Sequence, residues 1–171
     1  MIIQKYDMCS KQKSLRYYLY NKDHISNLYN LTIFLMWRFN YVQRDGVLNF
    51  IKNHNDGIEF EEVNIDIDHQ NNLVYFSESW HTYNNKPTTP EIKILLEEEN
   101  FIQLCKMGFL DYIVMTKDNF IHILFAWDKI LQKLPPFALL YQDENNWYDV
   151  LPFDTKQAME QFVINHTHNN K

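Results

Sequence analysis

The residues that could do chemistry in this chain stand in a few short constellations. Glu78-Ser-Trp-His81 has the Glu-x-x-His spacing of carboxylate metal sites. On a helix, positions i and i+3 share a face and can close on one ion. On a strand they point to opposite faces, and the flanking residues here read as strand. His166-Thr-His168 is a His-x-His pair, but it stands in a tail with no third ligand nearby. Asp66-x-Asp68 has the opening of a calcium loop. Position five would then be Gln70, position six Asn71 where glycine is required, and position twelve Ser77 where a bidentate glutamate is required. The nucleophile candidates are Cys9, Cys105, Ser77 and Ser79. Neither serine lies in a Gly-x-Ser-x-Gly elbow, and Cys105 falls on the apolar face of a predicted helix.

Several function classes drop out on composition. Phosphate-cradling loops need clustered glycines, and the three glycines at 46, 57 and 108 are isolated. No CxxC or HExxH spacing exists, so neither a metal nor another cofactor is expected. The stretch from Lys11 to Arg16, followed by Tyr17, Tyr18 and Tyr20, has the mix of basic and aromatic residues seen in nucleic-acid readers. A net charge of -6 opposes direct binding to a phosphate backbone over most of the surface, and no direct nucleic-acid partner is expected. No local motif announces an enzyme. With seven histidines in 171 residues, a site built from distant His and carboxylate residues stays open, and with it a small hydrolase or transferase.

Charge is distributed unevenly. Residues 53–85 contain no lysine or arginine and seven carboxylates: Asp56, Glu59, Glu61, Glu62, Asp66, Asp68 and Glu78. Residues 1–52 hold eight basic and three acidic residues, and residues 86–171 hold eight basic and twelve acidic. Acidity is therefore a patch, and a patch of one sign attracts partners of the other. Alternating charges on a half-buried strand are ordinarily its solvated face. Against that stands the proximity of Trp80, His81 and Tyr83. An aromatic anchor rimmed by carboxylates is one way to build a tight, electrostatically steered interface. The candidate partner-binding set is Glu59, Glu61, Glu62, Asp66, Asp68, Glu78, Trp80, His81 and Tyr83.

The elements that must position these residues follow from periodicity. Ile25, Leu28, Leu31, Leu35, Phe39 and Val42 predict a long buried helix, and Val47 to Asn53 a second, short one. Leu15 to Tyr20 fits strand or helix. From Phe60 to Asp68 the period becomes two, broken once at Glu61-Glu62, which marks a bulge or the true start of the strand. Gln70-Asn71-Asn72 is a hairpin turn, and Leu73 to Trp80 the returning strand. Thr89-Pro90 starts a central helix that runs past Cys105 to a stop at Gly108. Tyr112 to Thr116 and Phe120 to Trp127 read as strands flanking a Lys-Asp-Asn turn. Phe137 to Tyr141 and Trp147 to Val150 read as strands flanking Asp143 to Asn146. Asp154 and Gln157 cap a final helix to about Asn165. The expected fold is α+β: one domain over 1–171, frayed at 1–10 and 166–171. It has an N-terminal helical segment, central and C-terminal helices, and an antiparallel sheet of about five to seven strands. The N-terminus has no signal-peptide pattern, no apolar run spans a bilayer, and two distant cysteines suit reduced thiols, so a cytoplasmic protein is expected, without a membrane partner.

In size, acidity and an Asn/Lys-rich, Ala- and Gly-poor composition, the chain resembles the immunity proteins of bacterial toxin–immunity pairs, such as contact-dependent growth inhibition and related polymorphic-toxin systems. The resemblance implies binding to a cognate basic toxin domain, often a nuclease, and occlusion of its active site. It implies no fold and no site residues, because these families differ in both. A monomer is expected. An accessory protein of phage or a mobile element is a further alternative, with oligomerisation as its signature.

Overall fold

The computed structural model describes residues 2–9, 14–19, 31, 34–35, 58–60, 63–78 and 88–167. The chain divides into two compact units, one of Met1–Ile25 with Asp118–Lys171 and one of Ser26–Lys117. The α+β class holds, and every described strand pair is antiparallel. Instead of one sheet of five to seven strands, the described strands form two sheets of four. No helix among the described residues is long and apolar enough to cross a membrane.

In the Ser26–Lys117 unit the sheet order is β3 (Ile58–Phe60), β4 (Val63–Asp68), β5 (Leu73–Glu78), β6 (Tyr112–Thr116). Phe60 pairs with Val63, so the segment expected as one strand is two strands, and Val63 is the start of the second. One face of the sheet carries Val63, Ile65, Ile67, Val74, Phe76, Ile113 and Met115, all buried. Phe76 meets the buried, helical Phe34 edge-on at 5.6 Å, and Leu31 and Leu35 are buried beside it in sequence. The remainder of the helix expected over Ile25–Val42, and the helix at Val47–Asn53, lie outside the described residues.

The other face of this sheet is covered by two helices, α1 (Pro90–Glu97) and α2 (Phe101–Lys106), where the sequence suggested one. Thr89 caps α1 as expected: its hydroxyl accepts the Ile92 N–H at 3.3 Å, with Pro90 in the first turn. The unexpected stop lies at Glu99, whose φ is 53°. The Glu99 N–H donates to the Leu96 carbonyl (3.2 Å) and the Asn100 N–H to Leu95 (2.9 Å), which is a Schellman closure without glycine. Asn100 then caps α2 through its side chain, 3.2 Å from the Gln103 nitrogen. At the end of α2 the same pattern returns with Gly108 (φ 73°). The Gly108 N–H donates to Cys105 (2.9 Å) and the Phe109 N–H to Leu104 (3.0 Å), while Phe109 and Leu104 pack in one core.

The other unit has the sheet order β2 (Ser14–Leu19), β1 (Ile2–Cys9), β7 (Phe137–Gln142), β8 (Tyr148–Phe153). Ile2–Cys9, within the segment 1–10 expected to fray, supplies an inner strand, held by pairing on both sides. The segment Phe120–Trp127, expected as a strand, belongs to helix α3 (Lys117–Lys133). Its buried residues Phe120, Ile123, Leu124, Trp127 and Ile130 recur at helical spacing, and that stripe overrides the local aromatic and β-branched content. The helix ends where Leu134 turns left-handed (φ 45°), ahead of Pro135 and Pro136. Buried Asn119 accepts the Tyr148 N–H at 2.8 Å and donates to the Tyr148 carbonyl at 2.6 Å, occupying backbone groups on edge strand β8 as a further strand would. Helix α4 (Lys156–Thr167) packs Met159 and Val163 on Leu139 of β7. Its cap is Thr155, whose hydroxyl accepts the Ala158 N–H at 3.1 Å, rather than Asp154. The helix runs beyond the expected Asn165 and through His166.

Gly108 gives a direct check on the α2 stop. A Cβ there would meet nothing within 4 Å, so Gly108→Ala is opposed only by the left-handed backbone. In urea unfolding it should cost about 1 kcal/mol, and Gly108→Asn distinctly less.

Candidate functional site

The acidic strip resolves into residues with different surroundings. Strand register places Glu59 opposite Asn64, Asp66 opposite Tyr75 and Asp68 opposite Leu73, so Glu59, Asp66 and Asp68 stand at positions of one sheet face. Glu78 stands opposite Val63, in the register of the other face. Glu61, Glu62, Trp80, His81 and Tyr83 lie outside the described residues.

The face shared by Asp66 and Asp68 is not the solvated one. It is the face roofed by α1 and α2, where Tyr75, Leu104, Cys105, Phe109 and Leu110 form a buried cluster. Asp66 is 8% exposed, and its Oδ2 has no hydrogen-bond partner among the described residues. Burial pushes its carboxyl up to about 7, so at neutral pH a large share of it is the neutral acid. A group of this kind cannot steer a distant basic partner, and the expectation that Asp66 does so is corrected on that ground. Alternation along a strand identifies which residues share a face. It does not say that the polar face is the wet one.

Asp68, two residues on, lies at the rim. Its Oδ1 accepts the Asn71 N–H at 3.1 Å and its Oδ2 the Asn71 side-chain amide at 2.9 Å, closing the β4–β5 hairpin turn. Asn71, with help from Lys106, whose Nζ is 3.7 Å away, holds this carboxyl below the usual range. Lys106 also lies over the Tyr75 ring at 5.9 Å. The charge of Asp68 is thus already engaged in local structure.

Cys105 of α2 faces the same interior. It is a free thiol, 1% exposed, and burial pushes it up to about 12, with fully buried Ser77 nearby easing its ionisation and Asp66 opposing it. At that value the sulfur is not a nucleophile, in keeping with its expected place in the core.

What α1 presents to solvent is different. Ile92, Leu95 and Leu96 turn inward onto the core cluster, and no residue of the helix is fully buried. Ile94 is 53% exposed, and Glu91, Glu97 and Glu98 stand three or four positions from it, all exposed. An apolar side chain rimmed by carboxylates therefore exists on a helix of this unit. The Ser26–Lys117 unit as a whole holds thirteen acidic and seven basic residues, and the other unit nine of each, so the entire net charge belongs to one unit.

A second constellation lies in the other unit. His122 of α3 and Asp149 of β8, 27 positions apart, meet at 2.7 Å between Nε2 and Oδ1. Trp147, 37% exposed, lies against the His122 ring with centroids 5.4 Å apart. Asp149 Oδ1 also accepts the Val150 N–H at 2.7 Å, and Tyr141 stands opposite Asp149 across the ladder. Nothing local in the sequence announces this pair, because a helix and a strand supply one member each. By contrast, His166 is taken up by its own helix: its Nδ1 donates to the Phe162 carbonyl at 2.8 Å and its ring stacks on Phe162 at 3.9 Å. Among the described residues no three His, Cys, Asp or Glu side chains converge as metal ligands would.

Asp66 makes a signed prediction. Its folded-state value, about 7, lies above the ordinary carboxylate value near 3.8. Its stabilising contribution is therefore full below about pH 4 and is lost as pH rises to about 7, at up to ~1.4 kcal/mol per unit. In urea unfolding, Asp66→Asn should match the wild type near pH 4 and exceed it by about 3–4 kcal/mol at pH 8. A wild type and variant that keep a constant difference across that range would show that Asp66 ionises normally. Comparison with protein-family models, with curated proteins and with solved structures yields no match, so the sites described above rest on geometry alone.

Proposed function

We propose that this chain is a protein-binding module whose acidic unit docks a basic partner, and that it neutralises a cognate toxin domain by covering its active site. The observation that carries this proposal is exposed Ile94 ringed by Glu91, Glu97 and Glu98 on α1, in the unit that holds all of the net charge. Carboxylates arranged around an apolar tip can take the place of substrate phosphates in a basic cleft while the tip excludes water. Ile94 is an apolar anchor of the kind that the sequence suggests for Trp80. Glu59, Glu61, Glu62, Glu78, Trp80, His81 and Tyr83 belong to the same unit and stay candidates for the rim.

A second reading is favoured by one observation, the His122–Asp149 contact with Trp147 beside it. A histidine held by a carboxylate can act as a general base, and an exposed indole can hold a flat substrate group. This would make the chain a small hydrolase or transferase.

One experiment separates the two. The chain is co-expressed with the C-terminal domain of a toxin encoded beside it, and association is measured with the purified pair at low and high salt. Docking predicts growth protection. Joint substitution Glu91→Lys, Glu97→Lys and Glu98→Lys should slow association at least about tenfold at low salt and flatten its salt dependence, and Ile94→Asp should mainly hasten dissociation. His122→Ala should leave protection intact. An unchanged on-rate in the triple variant removes the docking face, and protection that depends on His122 turns the case towards catalysis.

A further inference from the structure

Asp66 occupies an unusual position for a carboxyl group. It lies on an inner strand of its sheet, 8% exposed, under α2, with Oδ2 unmatched among the described residues. The described groups around it offer no positive charge. Tyr75 stands opposite it on β5, and fully buried Ser77 is the next residue on that face. Cys105 approaches from α2 as a neutral thiol, and Tyr112 of β6 stands opposite Ser77. Glu59 of β3 stands at a register position of the same face, and Asp68 on the same strand is held by Asn71. Lys106, the cation of α2, pairs with Asp68 at the rim. Among the described residues a proton is thus what there is to neutralise Asp66 in the closed arrangement.

The cover above it is a separable piece. Helices α1 and α2 have eight and six residues, are joined through Glu98–Asn100, and each ends in its own Schellman closure. The sheet beneath is secured independently by its ladders and by its apolar opposite face. Short helices seated on a sheet by one apolar cluster open more readily than the strands they cover.

We propose that Asp66 is a proton-operated latch. With its carboxyl neutral, α1 and α2 stay closed over β4 and β5. When it ionises, water must reach it, and the two-helix cover lifts while the strands stay paired. The direction follows from burial, which favours the neutral acid, so closing takes up a proton and opening releases one. The latch does not depend on what α1 docks.

Cys105 reports directly on the opening, because its sulfur lies beneath the cover. In a Cys9→Ser background it is the only thiol. Its modification by a disulfide reagent that reacts at acid pH is measured from pH 5 to 8.5, with and without Asp66→Asn. Dividing the rate without that substitution by the rate with it, at each pH, cancels the reagent's own pH dependence. This ratio should rise roughly tenfold per pH unit between 5 and 7 and level off above. A ratio independent of pH overturns the latch. Hydrogen exchange of the unsubstituted protein, corrected for intrinsic rates, supplies a second measurement that does not need the variant to fold. Amides of α1 and α2 should lose protection over that range while those of β4 and β5 keep it. Loss of protection in helices and strands together, with one pH profile, overturns it as well, since Asp66 would then only destabilise the whole unit.

Discussion

A buried carboxyl group with no cation beside it among the described residues, roofed by helices, is the constraint on which the Ser26–Lys117 unit depends. Ionising a group in that position costs several kcal/mol, and the fold escapes that cost only at acid pH, where the carboxyl is protonated in the unfolded chain as well. The rest of the face follows from this. Cys105 packs as a neutral thiol, Lys106 is directed to the rim where Asp68 meets it, and the large apolar residues Leu104, Phe109 and Leu110 close over Tyr75. Charge is sorted by depth: a carboxyl pushed towards its neutral form inside, a locked aspartate at the edge, exposed glutamates outside on α1.

Helix ends in one unit, and a strand edge and a hairpin turn in the other, are closed by backbone geometry and small polar side chains. Glu99 and Gly108 terminate consecutive helices by one hydrogen-bond pattern, although only one of them is glycine. Asn119 uses both ends of its amide on Tyr148, so that β8 ends in a matched edge. Asp143 closes the β7–β8 turn, accepting the N–H groups of Asn145 and Trp147 at 2.8 Å each. These closures position the two described constellations that suggest function, the Ile94 rim and the His122–Asp149 pair.

Where physics is local, the sequence is legible. Thr89-Pro90 begins a helix, Gly108 ends one, and the hairpins at 69–72 and 143–146 fall where Asn and Asp cluster. Phe120–Trp127 reads as strand over eight residues and as helix only when Ile130 is included, because short apolar runs satisfy both periods. The break at Glu98–Glu99 is hidden because glutamate is a good helix former and carries no stop signal. The candidate site was least legible for the same kind of reason. Period-two alternation places Asp66 and Asp68 on one face correctly, but which face is covered depends on helices some twenty to forty positions downstream. The His122–Asp149 pair depends wholly on tertiary folding.

What the buried face and its latch share is the protonation of one side chain. Titration of the Asp66 side-chain carboxyl carbon by NMR, in the intact chain, tests that most directly. A midpoint near 7, set by burial, is the expected result. A midpoint near the ordinary value of about 4 would mean that Asp66 is solvated or paired with a cation, and would contradict both the buried neutral acid and the latch built on it.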